Sequence, residues 1–456
     1  MKPDVIIVGT GQAGVPLATR LVAAGQRVLV AERALAGGTC ANVGCTPTKA
    51  MIASARAAHV ARTAGRLGVH ARELEVDFDA VVSRKDALVG RWRAGVERRL
   101  AAAGDNLRFV RGHARFVAPG AIEVAGERHE AERIVINVGA RSASPDIPGL
   151  EDVPWLDSAR LLDVRALPKH LLVLGGGYIG CELGQMMRRF GAAVTIVAPS
   201  ARILAREDPD VSEALEGAFR GEGITLQQGK RVLRIFRAGD DIVLGLEGGG
   251  EVRGSDLLVA TGRRPNTDDL GCDAAGIELA AGGHIVVDER YETTARGTYA
   301  VGDCVPGPQF THVSWDDHRV LFELLAGRAA RARSDRLVPY TVFTDPQVAG
   351  VGLSETEARA RGVAVEVATM AFGAIARAIE TDETAGLVKV LIDPATDRIV
   401  GARLVGADAG ELIHVFSVLM QAKASARAIV DGEFVHPTFA EGLQTAVMKL
   451  PRYSLS

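Results

Sequence analysis

Apolar residues run through Val5-Ile6-Ile7-Val8 and return at Val28-Leu29-Val30-Ala31, Ile134-Val135-Ile136, Leu171-Leu172-Val173-Leu174 and, with one threonine, Val194-Thr195-Ile196-Val197. Short apolar runs of this kind predict parallel strands buried on both faces. A helical stretch from Val15 to Ala24 separates the first two, and another, reaching about Phe190, separates the last two. Residues from Ala50 to about Leu100 read as helix, with Arg91 to Arg99 on a solvated face. Phe109 to Val124 reads as short strands, and Pro145 with Pro148-Gly149 marks a boundary. From about Leu337 the pattern changes to strands and amphipathic helices without glycine clusters.

Glycines follow two of the apolar strands. Gly9-Thr10-Gly11-Gln12-Ala13-Gly14 follows the first, and the second strand ends in Glu32. Strand, GxGxxG, helix, strand and acid form the dinucleotide-binding pattern. Its glycines let the backbone approach a pyrophosphate at a helix N-terminus, and the acid accepts from ribose hydroxyls. A second copy begins at Gly175-Gly176-Gly177-Tyr178-Ile179-Gly180. Glu32 lies 23 positions after Gly9, and the same step from Gly175 reaches Ala198. The second copy therefore lacks the ribose acid. Ser200 and Arg202 follow at once, a hydroxyl and a guanidinium suited to a 2′-phosphate. That predicts NADPH in preference to NADH.

Composition narrows the class. The chain has 456 residues, enough for two to four domains. Its net charge of −3 gives no reason to expect a nucleic-acid partner. No apolar run approaches the roughly 20 residues that span a membrane. The start from Met1 to Thr10 reads as a strand entering a turn rather than a signal peptide, so a cytoplasmic setting is expected. The five cysteines, Cys40, Cys45, Cys181, Cys272 and Cys304, are too few and scattered for a secreted disulfide framework. No further cysteine or histidine pair completes a zinc site, and no metal is expected.

Cys40 and Cys45 stand five positions apart in Gly37-Gly38-Thr39-Cys40-Ala41-Asn42-Val43-Gly44-Cys45-Thr46-Pro47-Thr48-Lys49. The glycines permit the sharp bend that brings two sulfurs together. Pro47 fits a first helical turn, and a helix N-terminus beside Cys45 favours its thiolate. An exchangeable dithiol fits this chemistry, and so does a pair of ordinary buried thiols. Two nucleotide units beside it favour the redox reading: a flavin in one, a nicotinamide in the other.

The segment from Gly37 to Lys49 resembles the active-site segment of the flavoprotein pyridine nucleotide-disulfide oxidoreductases (class I), which include glutathione reductase, dihydrolipoyl dehydrogenase and mercuric reductase. The likeness extends along nearly the whole chain. It implies two Rossmann-like α/β domains and a C-terminal α+β interface domain: FAD binding by 1–150 and 270–336, NAD(P)H binding by 151–269, and dimerisation by 337–456. By this resemblance FAD is held by Gly9, Gly11, Gly14, Glu32, Gly38, Thr39, Gly139 and Asp303, while Gly262 lies in the closing segment of the nicotinamide domain. NAD(P)H is held by Gly175, Gly177, Gly180, Ser200 and Arg202, under an aromatic gate, Tyr178. Cys40 and Cys45 form the redox disulfide, with Cys45 against the flavin and Cys40 toward the acceptor. Lys49 and Glu182 match an ion pair beside the flavin, and His436 with Glu441 an acid/base pair offered by the second subunit of a homodimer.

The stretch from Val197 to Pro209 looks most like mercuric reductase, which also has a C-terminal cysteine pair; here no cysteine follows Cys304. The expected acceptor is a small disulfide, a metal ion, a quinone or a reactive oxidant. Alternatives are a dihydrolipoyl dehydrogenase or glutathione reductase type of enzyme, or a flavin-binding redox sensor without fast turnover.

Overall fold

The computed structural model describes residues 2–71, 73–329 and 331–453, so the terminal Ser454-Leu455-Ser456 lies outside the described residues. Two compact units emerge. One comprises the chain up to Ala50, Val82–Ala143 and Gly262–Arg336; the other comprises Met51–Val81, Ser144–Thr261 and the chain from Leu337 onward.

In the first unit, β1 (Val5–Val8) pairs in parallel with β2 (Val28–Glu32) and with Arg133–Ile136, Val5 standing opposite both Val28 and Arg133. The five-stranded order is Thr298–Ala300, Arg133–Ile136, β1, β2, Leu107–Arg111. Alternation along these strands feeds two cores. Val5, Ile7, Val28, Val30 and Val135 pack with Leu17 and Leu21 of α1 (Gly14–Ala23). Ile6, Val8, Leu29, Ile134 and Ile136 pack on the other face against Phe116 and Ile122. Each such side chain, taken fully from water, contributes about 1.5–3 kcal/mol.

The second unit repeats the plan. Its parallel sheet runs Thr225–Gln228, Ala193–Ala198, His170–Leu174, Asp256–Val259, Trp155–Leu156, with the helix Tyr178–Phe190 after the central strand. Four of its five strands follow the order of the first sheet; the fifth differs, since Trp155–Leu156 precedes the central strand in the chain whereas Thr298–Ala300 comes last. Each sheet is accompanied by a three-stranded antiparallel sheet, Arg115–Glu130 in one and Val232–Gly254 in the other. The repeat thus extends beyond the glycine loops that reveal it in the sequence. The second unit also holds a five-stranded antiparallel sheet, Tyr340–Val342, Gln347–Gly352, Ile399–Gly406, Leu387–Ile392, Glu366–Ala371. Ile413 and Phe416 of the helix Ala409–Gln421 share its core.

The helical reading from Ala50 to Leu100 holds only in two pieces. The helix beginning at Cys45 ends at Thr63, and the next, Phe78–Ala101, starts fifteen residues later. Gly68, at φ +79°, turns the chain after a short 3₁₀ segment. None of the described helices is long and apolar enough to cross a membrane.

Candidate active site

Close packing requires glycine at the first and last positions of both nucleotide loops. Gly9 stands at φ +105°, and a Cβ there would lie 2.3 Å from the Asn137 carbonyl oxygen; Gly175, at φ +120°, would meet Ala260 O at 2.4 Å. A Cβ on Gly14 would lie 2.1 Å from Gly9 O, and one on Gly180 2.1 Å from Gly175 O. The helix entrances are alike, but their surroundings differ. In the first unit Asn137 Oδ1 accepts from Gly14 N at 3.0 Å while its Nδ2 donates to Val301 O at 3.2 Å. Glu32 is oriented at the end of β2: Oε2 accepts from the Thr10 N–H at 2.9 Å and the Thr10 hydroxyl at 2.6 Å, and Oε1 from Ala34 N at 2.8 Å.

The dithiol segment is built onto this loop. Gly38, at φ +64°, approaches so closely that a Cβ would sit 2.8 Å from Gly11 Cα. The Thr10 hydroxyl accepts from Gly37 N at 3.1 Å, joining the glycine loop, Glu32 and the dithiol segment. Thr39 and Cys40 lie in α2 (Gly38–Asn42), and Cys45 opens α3 (Cys45–Thr63), with Pro47 in its first turn. Gly44 makes the bend: a Cβ there would lie 2.9 Å from Thr39 O and 3.3 Å from Cys40 Cα. Cys40, half-buried, and Cys45, exposed, stand side by side with a hydrogen bond between their side chains. That bond, then burial, then the Cys45 charge hold the Cys40 proton well above the ordinary thiol range, against smaller opposing effects of Thr311 and Lys49. Thr311 Oγ1 lies 3.0 Å from Cys45 Sγ. The helix N-terminus at Cys45 favours negative charge.

Asn42 and Arg93 were not picked out by the sequence. Asn42 Nδ2 donates to the carbonyls of Ala36 and Gly38, both at 3.0 Å, and its Oδ1 accepts from Arg93 Nε at 2.8 Å. Arg93, expected on a solvated face, therefore steadies the dithiol loop. The misreading has a simple cause, since periodicity along one helix does not show what another segment brings to it.

Asp303 closes the same unit. Burial raises its proton affinity, while Arg263, 3.5 Å away, opposes that rise. Arg263 donates through Nη2 to Ala140 O at 2.7 Å, yet its buried Nε has no protein partner. Open space lies beside Gly139 (φ +65°) and Gly262 (φ +151°), where an added Cβ meets nothing within 4 Å. A buried acid, an orphaned guanidinium N–H and bare backbone beside a glycine-loop helix fit an FAD molecule. Arg263 is a further residue the sequence reading missed.

In the second unit Gly177 caps the helix that Tyr178 begins, and nothing lies within 4 Å of a Cβ placed on it. Tyr178 is exposed. Ala198 ends its strand almost fully buried, with no carboxylate at the position matching Glu32. Exposed Ser200 accepts through its backbone carbonyl from Gly229 N at 2.8 Å. Arg202 turns toward the next helix and pairs with Glu213 and, at 3.8 Å, with Glu216. Buried Glu182 accepts from Phe343 N at 2.9 Å. Lys49 belongs to the first unit and Glu182 to the second.

Also in the second unit, His436 Nδ1 lies 2.9 and 3.1 Å from the two carboxylate oxygens of Glu441. The His436–Pro437 peptide is cis. The histidine side chain is 70% exposed and the glutamate 20%. An exposed imidazole oriented by a half-buried carboxylate can accept or release a proton.

Comparison with known proteins agrees with this architecture. Residues 3–317 match the pyridine nucleotide-disulphide oxidoreductase family, and residues 338–447 match the dimerisation domain of that family. A mercuric reductase of Bacillus cereus is 34% identical over 449 residues, 98% of this chain and 71% of that protein. A dihydrolipoyl dehydrogenase of Thermus scotoductus is 37% identical over 459 residues, 99% of this chain and 98% of that protein. The Cu(II) complex of the HOCl-induced flavoprotein disulfide reductase RclA from Escherichia coli superposes with a TM-score of 0.91 at 34% identity, covering 99% of this chain and 100% of the other. The cofactors of this family are FAD and NAD(P)H. The matching fold, the two nucleotide loops and the dimerisation domain together identify the chain as a member of the FAD-dependent pyridine nucleotide-disulphide oxidoreductases.

Proposed function

We propose that this enzyme moves electron pairs from NAD(P)H through Cys40 and Cys45 to a disulfide, a metal ion or another oxidant. The observation that carries the reading is the paired thiols on a segment packed against the first glycine loop. FAD, when bound, supplies the hydride-accepting ring. Gly9, Gly11, Gly14, Glu32, Gly38, Thr39, Gly139, Gly262 and Asp303 would hold it, and Arg263 joins them. Gly175, Gly177, Tyr178 and Gly180 would hold the nicotinamide nucleotide. In this scheme the domains are 1–150 with 270–336 for FAD, 151–269 for NAD(P)H and 337–456 for dimerisation.

Within the dithiol the roles divide by charge. Cys45, at a helix N-terminus, carries the thiolate and faces the cofactor. Cys40 keeps its proton until a base removes it and then faces the acceptor. His436, oriented by Glu441, is that base, supplied by the second copy of a homodimer. Lys49, whose charge lowers the proton affinity of Cys40, pairs in function with Glu182. As the bond between the Cys45 thiolate and Cys40 forms, two electrons and the Cys40 proton leave; a disulfide acceptor takes the electrons with that proton and one more from solvent and becomes two thiols. The names mercuric reductase and HOCl-induced disulfide reductase among the relatives support a metal ion or a reactive-chlorine product as acceptor. A cytoplasmic setting, where thiols are kept reduced, suits this chemistry. Steady-state NADPH oxidation across a panel of small disulfides, divalent mercury and copper, and quinones tests the reading. Turnover with at least one acceptor should fall about 100-fold or more in Cys40→Ser, a loss within the usual weight of a catalytic nucleophile; full turnover in that variant refutes the dithiol route.

The nicotinamide preference is for NADPH. Ala198 removes the carboxylate that repels a 2′-phosphate, and Ser200 and Arg202 supply donors. Glu213 and Glu216 pair with the Arg202 guanidinium, so a 2′-phosphate there would compete with them. The ratio of kcat/KM for NADPH over NADH should fall about 10-fold in Arg202→Ala, the weight of one charge-assisted hydrogen bond. It should rise in Glu213→Gln. Wild type that uses NADH as well as NADPH contradicts the preference.

A further inference from the structure

The helix Thr311–Leu325 touches the dithiol at its first residue, through the Thr311–Cys45 contact of 3.0 Å. Six residues on, Asp317 is 1% exposed. A carboxylate taken from water is costly unless its oxygens are satisfied. Here Oδ2 accepts from Gly302 N at 2.8 Å, and Oδ1 accepts from the Tyr291 hydroxyl at 2.8 Å and from Arg336 at 2.6 Å. Gly302 immediately precedes Asp303. It stands at φ +75°, where a Cβ would lie 2.8 Å from both Asn137 Nδ2 and Ser314 Oγ. Tyr291, fully buried, is held at φ +65°, a conformation that bulky residues rarely adopt. Such backbone persists only where its surroundings over-determine it; here it delivers a hydroxyl to Asp317.

We propose that Asp317 is a positioning residue that locks the Gly302–Asp303 turn to the helix bearing Thr311, holding the FAD-binding acid and the dithiol in one register. The proposal rests on the roles given above to Asp303 and Cys45. Neither glycine-loop chemistry nor the dithiol spacing calls for a buried acid here. The charge of Asp317 also adds to the raised proton affinity of Asp303, after burial and against Arg263.

The test uses holoenzyme carrying Asp317→Asn, with FAD dissociation measured by fluorescence and Cys45 alkylation by mass spectrometry after reduction. FAD affinity should fall about 10-fold, the usual weight of one charged hydrogen bond, and the Cys45 alkylation rate should change about 3-fold or more. Tyr340→Phe, which removes a part-buried hydroxyl bonded to Glu207 in the other unit, should lower Tm without moving either reading. Asp317→Asn that loses Tm as Tyr340→Phe does, with FAD affinity and alkylation unmoved, overturns the proposal. If Asp317→Asn does not fold, Asp317→Glu, which keeps the charge but displaces the turn, carries the same comparison. Asp303→Ala reports on the underlying reading: unchanged FAD affinity there removes the role of Asp303 and the proposal with it.

Discussion

At Thr10 a single hydroxyl accepts from Gly37 and donates to Glu32. One residue between two motif glycines thereby ties three functional segments together. Cys40 shows the converse, a proton held in place by its neighbours. His318, on the helix that carries Asp317, gives a residue-scale prediction. It is 3% exposed, and burial lowers its pKa to about 4, with Arg20 and Arg319 acting in the same sense and Trp315 and Asp316 opposing. A depressed folded-state pKa means that the unfolded chain binds the proton more readily as pH falls below about 6.5. The neutral imidazole costs nothing at pH 7, and stability is lost progressively toward pH 4. Between pH 7 and 5 the loss from this group is about 2 kcal/mol. Denaturant unfolding of wild type and His318→Leu at the two pH values measures it. The variant should show a shallower pH dependence by that amount, and equal slopes would contradict the assignment.

At the scale of elements, strands and loops were legible wherever local sterics decide. The glycine loops were readable because no other residue fits Gly9, Gly14, Gly175 or Gly180. Cys45 at a helix start was readable from Pro47 and Gly44. The interruption between Thr63 and Phe78 was not, because alanine and arginine mask a break made by one left-handed glycine. Asn137, Arg263, Arg93 and Asp317 were also illegible. Their partners lie far along the chain, Asn137 reaching Gly14 across 123 positions and Val301 across 164. Such a role is fixed by which strand ends meet, and no short pattern carries that information. Arg202 was legible as a cation after the second ribose position, but not as a group already paired with Glu213 and Glu216.

At the scale of the molecule, one architectural unit is used twice and a dimerisation domain is added. The exposed His436, oriented by Glu441, needs a second surface to act on, which the homodimer provides in our scheme. Cys40→Ser and His436→Ala subunits, each inactive alone, should recover activity when mixed. Random exchange gives half hybrids, each with one intact site, so about a quarter of wild-type activity is expected. No recovery after demonstrated exchange would place the whole site within one chain. The central claim, that the electron path runs through Cys40 and Cys45, has a more direct test in anaerobic reduction by NADPH followed by absorbance. Wild type should develop the long-wavelength band of a thiolate beside an oxidised flavin. Cys40→Ser should show the band without reductant, and Cys45→Ser should never show it. A Cys45→Ser protein that retains the band would contradict the account.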